Sequence, residues 1–531
     1  MMKQKQYFFI VTSLFFLSQS ARAMTEVFST LWHHAEEKSV LNTLSTDVWR
    51  GKTTWQSLIE QSTSAVVQVR TCNMHFDWIH PYQAPAQSYG AGTAFFIHED
   101  GYLVTNAHVI NNAYIVQIAV PGCGKELYTA QVLGMASDLD IALLKIDIDE
   151  KKKIEKRLGK IPFLDLGDSN AVVQSAELAV LGYPLGFEKI KVTMGICAGR
   201  EYGHMASLFH ITANINPGNS GGPVLDDQGH VIGVVVSKHS ETELIGYAIP
   251  INNVKRVLSY LLTTELFSLP YLYIKGNYGS DELCQMLNNP LPGGLYISKI
   301  SELSLMHQAG VRAGDMLYAL IHDNKTYVVD RFGEVAVDWN KDPVPLFEII
   351  QSIPRDASVE YIVYRNGEKV RGLCKITDAE RPAIRQKFPL FEKIDYEVFG
   401  GLVLMELASN HVPYFCGKHT FSQYPWFSLC NSDEPSQGRI IITDILGGSP
   451  AFNARILRPG AIIKKINDQE VFSIEDVRKA LALSKGKQLI TFEEYYSGHL
   501  MVLSVANICE SEKKLADQYR FPLSSLIEYL S

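Results

Sequence analysis

Apolar residues recur along this chain with two different periods, and the change between them divides it. From Ser64 onward the runs are short: "SAVVQVRT", "GTAFFI", "GYLVTNAHVI", "AYIVQIAV", "IALLKI", "LAVLGY", "HVIGVVVS" and "GYAIPI". Most are rich in β-branched and aromatic residues, and Gly, Asn and Asp turns separate them. Branched side chains pack well on a pleated surface, so this texture predicts many short strands closed into a barrel or sandwich. "NVKRVLSYLLTTEL" (Asn253 to Leu266) then takes the helical period and reads as one amphipathic helix closing the unit. From Met24 to about Gln61 the pattern is helical or irregular, with Trp32, Trp49 and Trp55 as packing anchors.

Beyond residue 267 two segments look alike. The first holds "GGLYISKI" (Gly293 to Ile300) and "HQAGVRAGDMLYAL" (His307 to Leu320). The second holds "GRIIITDI" (Gly438 to Ile445) and "GSPAFNARILRPGAIIKKIN" (Gly448 to Asn467). Each reads as a strand, a small-residue helical turn, a Gly-containing turn and another strand. An amphipathic helix follows in each, "PVPLFEIIQSI" and "SIEDVRKALAL", and then a last β segment. A repeat of roughly a hundred residues predicts two domains of one fold. The Pro- and charge-rich "DAERPAIRQKFP" (Asp378 to Pro389) is the expected linker.

A chain of 531 residues exceeds one hydrophobic core, which agrees with several domains. Hydrophobic content of 46% with 20% charged residues is that of a soluble globular protein. The formal charge of −8 supplies no basic stripe, so nucleic acid is excluded as a partner. Lys3 and Lys5 precede the apolar run "YFFIVTSLFFL" (Tyr7 to Leu17), and an A-x-A site ends at Ala23. These features predict a secretory signal peptide over residues 1–23, with Met24 as the mature N-terminus. The expected compartment is a periplasm, with secretion as the alternative.

Export permits disulfides. Cys416 and Cys430 flank an aromatic excursion and are candidates to staple it, and Cys72 with Cys123 is a second candidate pair. Cys197, Cys284 and Cys509 sit in apolar surroundings and read as core thiols. No cysteine forms C-x-x-C or joins a histidine at ligand spacing, so neither a metal site nor another cofactor is expected.

A serine becomes nucleophilic when a histidine takes its proton and a carboxylate holds that histidine in one tautomer. "VTNAHVI" places His108 just after an apolar strand. "SDLDIALLKI" places Asp140 just before one, with Asp138 as competitor. In "NPGNSGGP" (Asn216 to Pro223), Ser220 lies in a Gly-rich loop. Its residues Gly218, Asn219 and Ser220 form the candidate oxyanion hole, where the N–H groups of Gly218 and Ser220 converge. The order His, Asp, Ser on a strand-rich background is that of chymotrypsin-type barrels.

"TNAHVI", "DLDIALLKI", "LGYPLGF", "NINPGNSGGPVLDDQGHVIGV" and "GYAIPI" closely resemble the HtrA/Deg family of ATP-independent serine proteases. "AGVRAGDML" and "RPGAIIKKIN" look like the PDZ domains that follow the protease in that family, and "FGGLVLMEL" resembles its plant-type members. The resemblance implies a mainly β protein: a chymotrypsin-like double β-barrel followed by two PDZ-like α+β domains. Its expected spans are 24–63 (N-terminal segment), 64–266 (protease), 267–378 (PDZ1), 379–394 (linker), 395–512 (PDZ2) and 513–531 (tail). It makes His108 the general base, Asp140 its orienter and Ser220 the nucleophile. Ile215 and the strand around Val235 would line a small apolar pocket for the residue before the scissile bond. "PYLYI" supplies Tyr271, Leu272, Tyr273 and Ile274 as the loop through which PDZ1 would capture a peptide. The bland alternative gives both PDZ units an assembly role.

The partners implied are unfolded proteins or peptides, PDZ peptide ligands, and further copies of the chain in a trimer or multiple of trimers. Aromatic residues of the N-terminal segment and of "FDWIHPYQ" (Phe76 to Gln83) are the candidate contacts between copies. Three positions depart from the family pattern. Thr212 stands for an acid and Asn214 for an alanine ahead of the Gly-rich loop, and Ala461 replaces the aspartate of "GD" in the second repeat. The first two motivate the alternative function, a chaperone or binding scaffold whose protease site is weak or silent.

Overall fold

The structure is a computed structural model describing residues 55–203, 207–236, 246–377, 381–415 and 437–530. The expected signal peptide, Trp32, Trp49 and the Cys416–Cys430 pair lie outside the described residues. The described chain forms two compact units. One holds the chain up to Asn73, Tyr89–Tyr271 and Ala319–Ala357. The other holds Met74–Ser88, Leu272–Tyr318 and the chain from Ser358 onward.

In the first unit the short apolar runs become two closed six-stranded barrels. The first contains β1 (Val66–His75), β2 (Ala86–His98), β3 (Tyr102–Thr105), β4 (Ala113–Ala119), β5 (Leu127–Ala136) and β6 (Ile141–Ile146). They follow one another as β5-β4-β1-β2-β3-β6, and β6 pairs back onto β5. The second contains β7 (Glu177–Gly182), β8 (Lys191–Tyr202), β9 (Ser207–Ile211), β10 (Pro223–Leu225), β11 (Val231–Val236) and β12 (Gly246–Pro250). It closes in the order β10-β11-β12-β9-β8-β7.

Phe95, Val104 and Leu143 of the first barrel share one buried cluster with Leu181, Val234 and Ile249 of the second. Into that cluster helix α1 (Ile251–Leu261) sets Val254, Val257, Leu258 and Leu261. Each such side chain contributes about 1.5–3 kcal/mol by leaving water. Gly134 makes the helix seat possible, because a Cβ there would meet the Leu261 carbonyl at 2.5 Å. β13 (Leu266–Phe267) then adds to β5 in parallel.

The first repeat builds the sheet β14 (Ile274–Tyr278), β15 (Leu295–Ile300), β16 (Met316–His322), β20 (Ser358–Arg365) and β21 (Glu368–Lys375). Between β16 and β20 the chain forms β17 (Lys325–Val328), β18 (Glu334–Val335), β19 (Val344–Pro345) and helix α2 (Leu346–Ser352). This segment belongs to the first unit, so the expected span 267–378 contributes to both. Its buried Glu348 accepts the Ser207 N–H at 2.8 Å. The Arg200 guanidinium lies 4.6 Å from the Phe209 ring centre and 5.2 Å from that of Trp339.

The second repeat has the order β22 (Tyr396–Phe399), β23 (Leu402–Glu406), β24 (Ile440–Ile445), β25 (Ile462–Ile466), β27 (Leu489–Glu494) and β28 (Leu500–Ser504), with β26 (Gln469–Glu470) beside β25. The two repeats reuse the same backbone bonds. Ile297 N–H donates to the Asp315 carbonyl at 2.8 Å, and Ile442 N–H to the Ala461 carbonyl at 2.9 Å. In the first repeat the buried Asp315 carboxylate also takes Arg365 Nε at 2.7 Å and Nη2 at 2.8 Å. Ala461 keeps the turn and loses that ion pair.

Helix α3 (Ile474–Ala482) and helix α4 (Val505–Tyr519) complete the second repeat. Helix α4 runs straight through the expected boundary at 512, because Ile508, Leu515 and Ala516 are all buried on it. Met74–Ser88 is likewise part of the second unit. Trp78 is buried with Met405, Leu407 and Ile441, 5.1 Å edge-on to His411, and the Ile79 carbonyl accepts Thr443 Oγ1 at 2.9 Å. "FDWIHPYQ", expected as a contact between copies, therefore spends Trp78 inside its own chain.

The pairing of Cys72 with Cys123 is not found; both thiols are free. The register puts Cys72 opposite Ile115 on β4, whereas Cys123 lies in the turn beyond the far end of that strand.

Candidate active site

β3 ends at Thr105, and a single helical turn, Ala107–Ile110, follows with the buried Asn106 at its cap position. Asn106 Nδ2 donates to the Asp140 carbonyl at 2.9 Å. Asp140 itself stands at φ +58° in the turn that enters β6. Aspartate tolerates this left-handed backbone better than a branched residue would. Its carboxylate meets His108 twice: Oδ1 accepts the main-chain N–H at 2.9 Å, and Oδ2 lies 2.7 Å from Nδ1. A carboxylate only accepts, so Nδ1 carries the proton and Nε2 of the neutral ring is the basic atom. Asp138, the competitor, accepts the Leu269 N–H at 3.2 Å instead.

Ser220 lies in the loop that leads into β10 of the second barrel. Its carbonyl accepts the Thr93 N–H at 2.9 Å. Gly221, at φ +83°, lies where a Cβ would strike the Thr93 carbonyl at 2.2 Å and the Asn106 nitrogen at 3.0 Å. The strand leading to His108 and the loop carrying Ser220 are thus packed backbone on backbone.

The loop's peptide groups are anchored in turn. The Pro217 carbonyl accepts the Leu185 N–H at 2.6 Å, and the Asn219 N–H donates to the Asn216 carbonyl at 3.0 Å. The Gly221 N–H goes to the Val235 carbonyl at 3.0 Å, and the Gly222 N–H to the Asn219 carbonyl at 2.9 Å. In a trans peptide the N–H points opposite to the carbonyl. Fixing Pro217 C=O on Leu185 therefore turns the Gly218 N–H the other way. Gly218 has φ +101°, and a Cβ there would lie 2.4 Å from the Tyr183 carbonyl, so glycine alone fits.

Ile215 and Val235 belong to one apolar cluster of the second barrel with Phe209, Ile211 and Val224. Val235 is fully buried there, and its main chain rather than its side chain meets the Gly-rich loop. Thr212 pairs with β8: its N–H donates to the Ile196 carbonyl at 3.1 Å and its Oγ1 accepts the Ile196 N–H at 2.9 Å. Asn214 is exposed, and its carbonyl accepts Thr193 Oγ1 at 3.3 Å.

Tyr271 is the last residue of its stretch of the first unit, and Leu272, Tyr273 and Ile274 begin the next stretch of the second. Tyr273 adopts φ +47°, and its carbonyl accepts the Ser301 N–H at 3.0 Å. β14 then forms the edge of its sheet, with Lys275 to Tyr278 exposed. In the second repeat the matching strand is β23, and its edge is taken by β22. Arg478 of helix α3 grips that added strand, with Nη1 at 2.8 Å and Nη2 at 2.9 Å from the Asp395 carboxylate and Nε at 2.7 Å from Glu397.

Sequence reasoning missed Thr93, Tyr183 and Leu185. "GYPLGF" carried a turn signal in its Gly and Pro, but nothing in "GTAFFI" marks Thr93 as a partner of the Gly-rich loop.

Residues 92–234 match the trypsin-like peptidase domain. A probable periplasmic serine endoprotease, DegP-like, of Chlamydia trachomatis is 27% identical over 407 residues, covering 75% of this chain and 71% of that protein. Protease Do-like 2, chloroplastic, of Arabidopsis thaliana is 40% identical over 210 residues, 38% of this chain and 32% of that protein. Among solved structures, the HtrA-type protease AlgW with decapeptide aligns at a TM-score of 0.48 and 21% identity, covering 62% of this chain and all of that one. The trypsin-like domain and the DegP-like and Do-like relatives support an HtrA/Deg-type serine protease.

Proposed function

We propose that this chain is an exported, ATP-independent serine endopeptidase that cleaves unfolded or damaged proteins through an acyl-enzyme. The observation that carries the reading is the double attachment of His108 to Asp140, at 2.9 and 2.7 Å, beside an anchored loop that bears Ser220. In this reading Nε2 of His108 takes the Ser220 hydroxyl proton as Oγ attacks the scissile carbonyl. The oxyanion that forms sits on the N–H groups of Gly218 and Ser220, with Asn219 completing the loop. A single such donor stabilises the transition state by about 2.7–4 kcal/mol. Protonated His108, stabilised by Asp140, then gives its proton to the leaving amine, and water hydrolyses the acyl-enzyme.

Ile215 lines the pocket for the residue before the scissile bond, beside the strand of Val235, and favours small apolar side chains such as Val or Ala. Export rests on relatives named as periplasmic proteins. Peptide capture is assigned to the open edge of β14 and the loop Tyr271 to Ile274. The chain assembles as a trimer or a multiple of trimers.

The purified protein is expected to degrade unfolded casein, with kcat lowered on the order of 10⁶-fold in Ser220→Ala. Intact casein with both proteins over a range of temperatures would leave the scaffold reading in place of the protease.

A further inference from the structure

The anchoring of the Gly-rich loop has one side-chain contributor that is fully buried and comes from the other barrel. Thr93 lies on β2, with no exposed surface. Its Oγ1 donates to the Gly218 carbonyl at 2.7 Å and accepts the Tyr183 N–H at 3.0 Å. Its main-chain N–H holds the Ser220 carbonyl at 2.9 Å, and its own carbonyl takes Thr105 Oγ1 at 2.7 Å. One residue thus touches the peptide after Gly218, the peptide after Ser220 and the turn that receives the Pro217 carbonyl.

We propose that Thr93 is a positioning residue for the oxyanion loop, its hydroxyl clamping Gly218 to Tyr183 so that the Gly218 N–H stays aimed at the substrate carbonyl. The inference rests on the protease reading above. Every main-chain bond around Gly218 has another main-chain group as partner, except the one to its carbonyl, which ends on this hydroxyl. Without the hydroxyl, the 218–219 peptide is held only by its N–H on Asn216, and its carbonyl has lost its partner. That peptide turns about ψ of Gly218, a residue at φ +101° with no Cβ barrier, and the residue relaxes with it, so its N–H is held on the Pro217 side alone. Catalysis suffers and substrate binding does not, because the Gly218 N–H acts on charge that develops only in the transition state.

The test compares Thr93→Val, which keeps the shape and loses the hydroxyl, with Thr93→Ser, which keeps the hydroxyl. On a cleavable peptide, Thr93→Val is expected to lower kcat by about 10- to 100-fold with KM within about threefold. Thr93→Ser should stay within about threefold of the parent in both. A peptide boronate, which mimics the tetrahedral adduct, should lose affinity in step with kcat. Unchanged kcat in Thr93→Val, an equal loss in Thr93→Ser, or an effect confined to KM would overturn the proposal. So would a chain in which Thr93→Val and Thr93→Ala both fail to fold while Thr93→Ser folds, since the hydroxyl would then serve folding. If the parent protein cleaves nothing, the protease reading falls and hydrogen exchange decides the clamp: residues 216–222 should exchange about tenfold faster in Thr93→Val than in Thr93→Ser, and equal rates reject it.

Discussion

Asp140 bonds His108 once through the main chain and once through the ring, and the two bonds have different consequences. The first fixes where the histidine stands, and the second fixes which nitrogen is basic. Asp140→Asn keeps an acceptor for the main-chain N–H but presents an N–H₂ donor to the ring, which forces the proton onto Nε2. Such a variant is expected to lose about 10⁴-fold in kcat with little change in KM, whereas Asp138→Asn, bonded to Leu269, stays near the parent. Peptide hydrolysis followed to saturation checks both. A second residue-scale case is Glu512 on helix α4, which is buried and accepts the Gly400 N–H at 3.0 Å. Burial, with a smaller push from Glu397, raises its carboxyl pKa to about 8 against the donating Gly400 N–H, which lowers it. The unfolded chain ionises this group near 4.5 and the folded chain near 8, so its stabilising contribution is full below 4.5 and is lost as pH rises to 8. The loss is on the order of 5 kcal/mol. Melting curves from pH 5 to 9 should fall with pH for the parent and run flatter for Glu512→Gln.

At the scale of elements, the two repeats share their backbone plan and differ at one edge. β14 is open, while β23 is covered by β22, which Arg478 ties to helix α3 through Asp395 and Glu397. An extended peptide joins a sheet at a free edge, so a photoreactive peptide should crosslink to Lys275–Tyr278 and leave Leu402–Glu406 unlabelled. Arg478→Ala should raise hydrogen exchange over Tyr396–Glu406 by at least about tenfold, with β27 and β28 unchanged; equal protection would mean the arginine does not secure the strand. The strands and the repeat were legible because apolar alternation is local and the two segments share their order of elements. The covered edge was not, because "YEVFGGLVLMEL" shows a hairpin without showing that its first strand takes the outer position. Thr212 was equally illegible: its departure was visible, but the Ile196 N–H that its hydroxyl receives lies across a non-local register.

For the whole molecule, the kinds of domain were readable and their limits were not. The residues of helix α4 on either side of 512 share one apolar face, and Ala319–Ala357 joins the unit of the barrels through contacts such as Glu348 with Ser207. Such docking depends on which surfaces meet, which no run of residues announces. The same applies to Trp78, an aromatic in a loop that looked free for another copy and is buried in its own chain. If the trimeric reading holds without that loop, sedimentation of Ser220→Ala should give species in multiples of three chains, and Trp78→Ala should destabilise the second unit without dissociating them. A monomer at micromolar concentration would remove the trimer. The strand that covers β23 carries one more consequence. An unpaired edge recruits any extended chain. In the second repeat the outermost strand is the four-residue β22, and so short an edge, held in place by Arg478, offers an incoming chain less to pair with than an open β23 would.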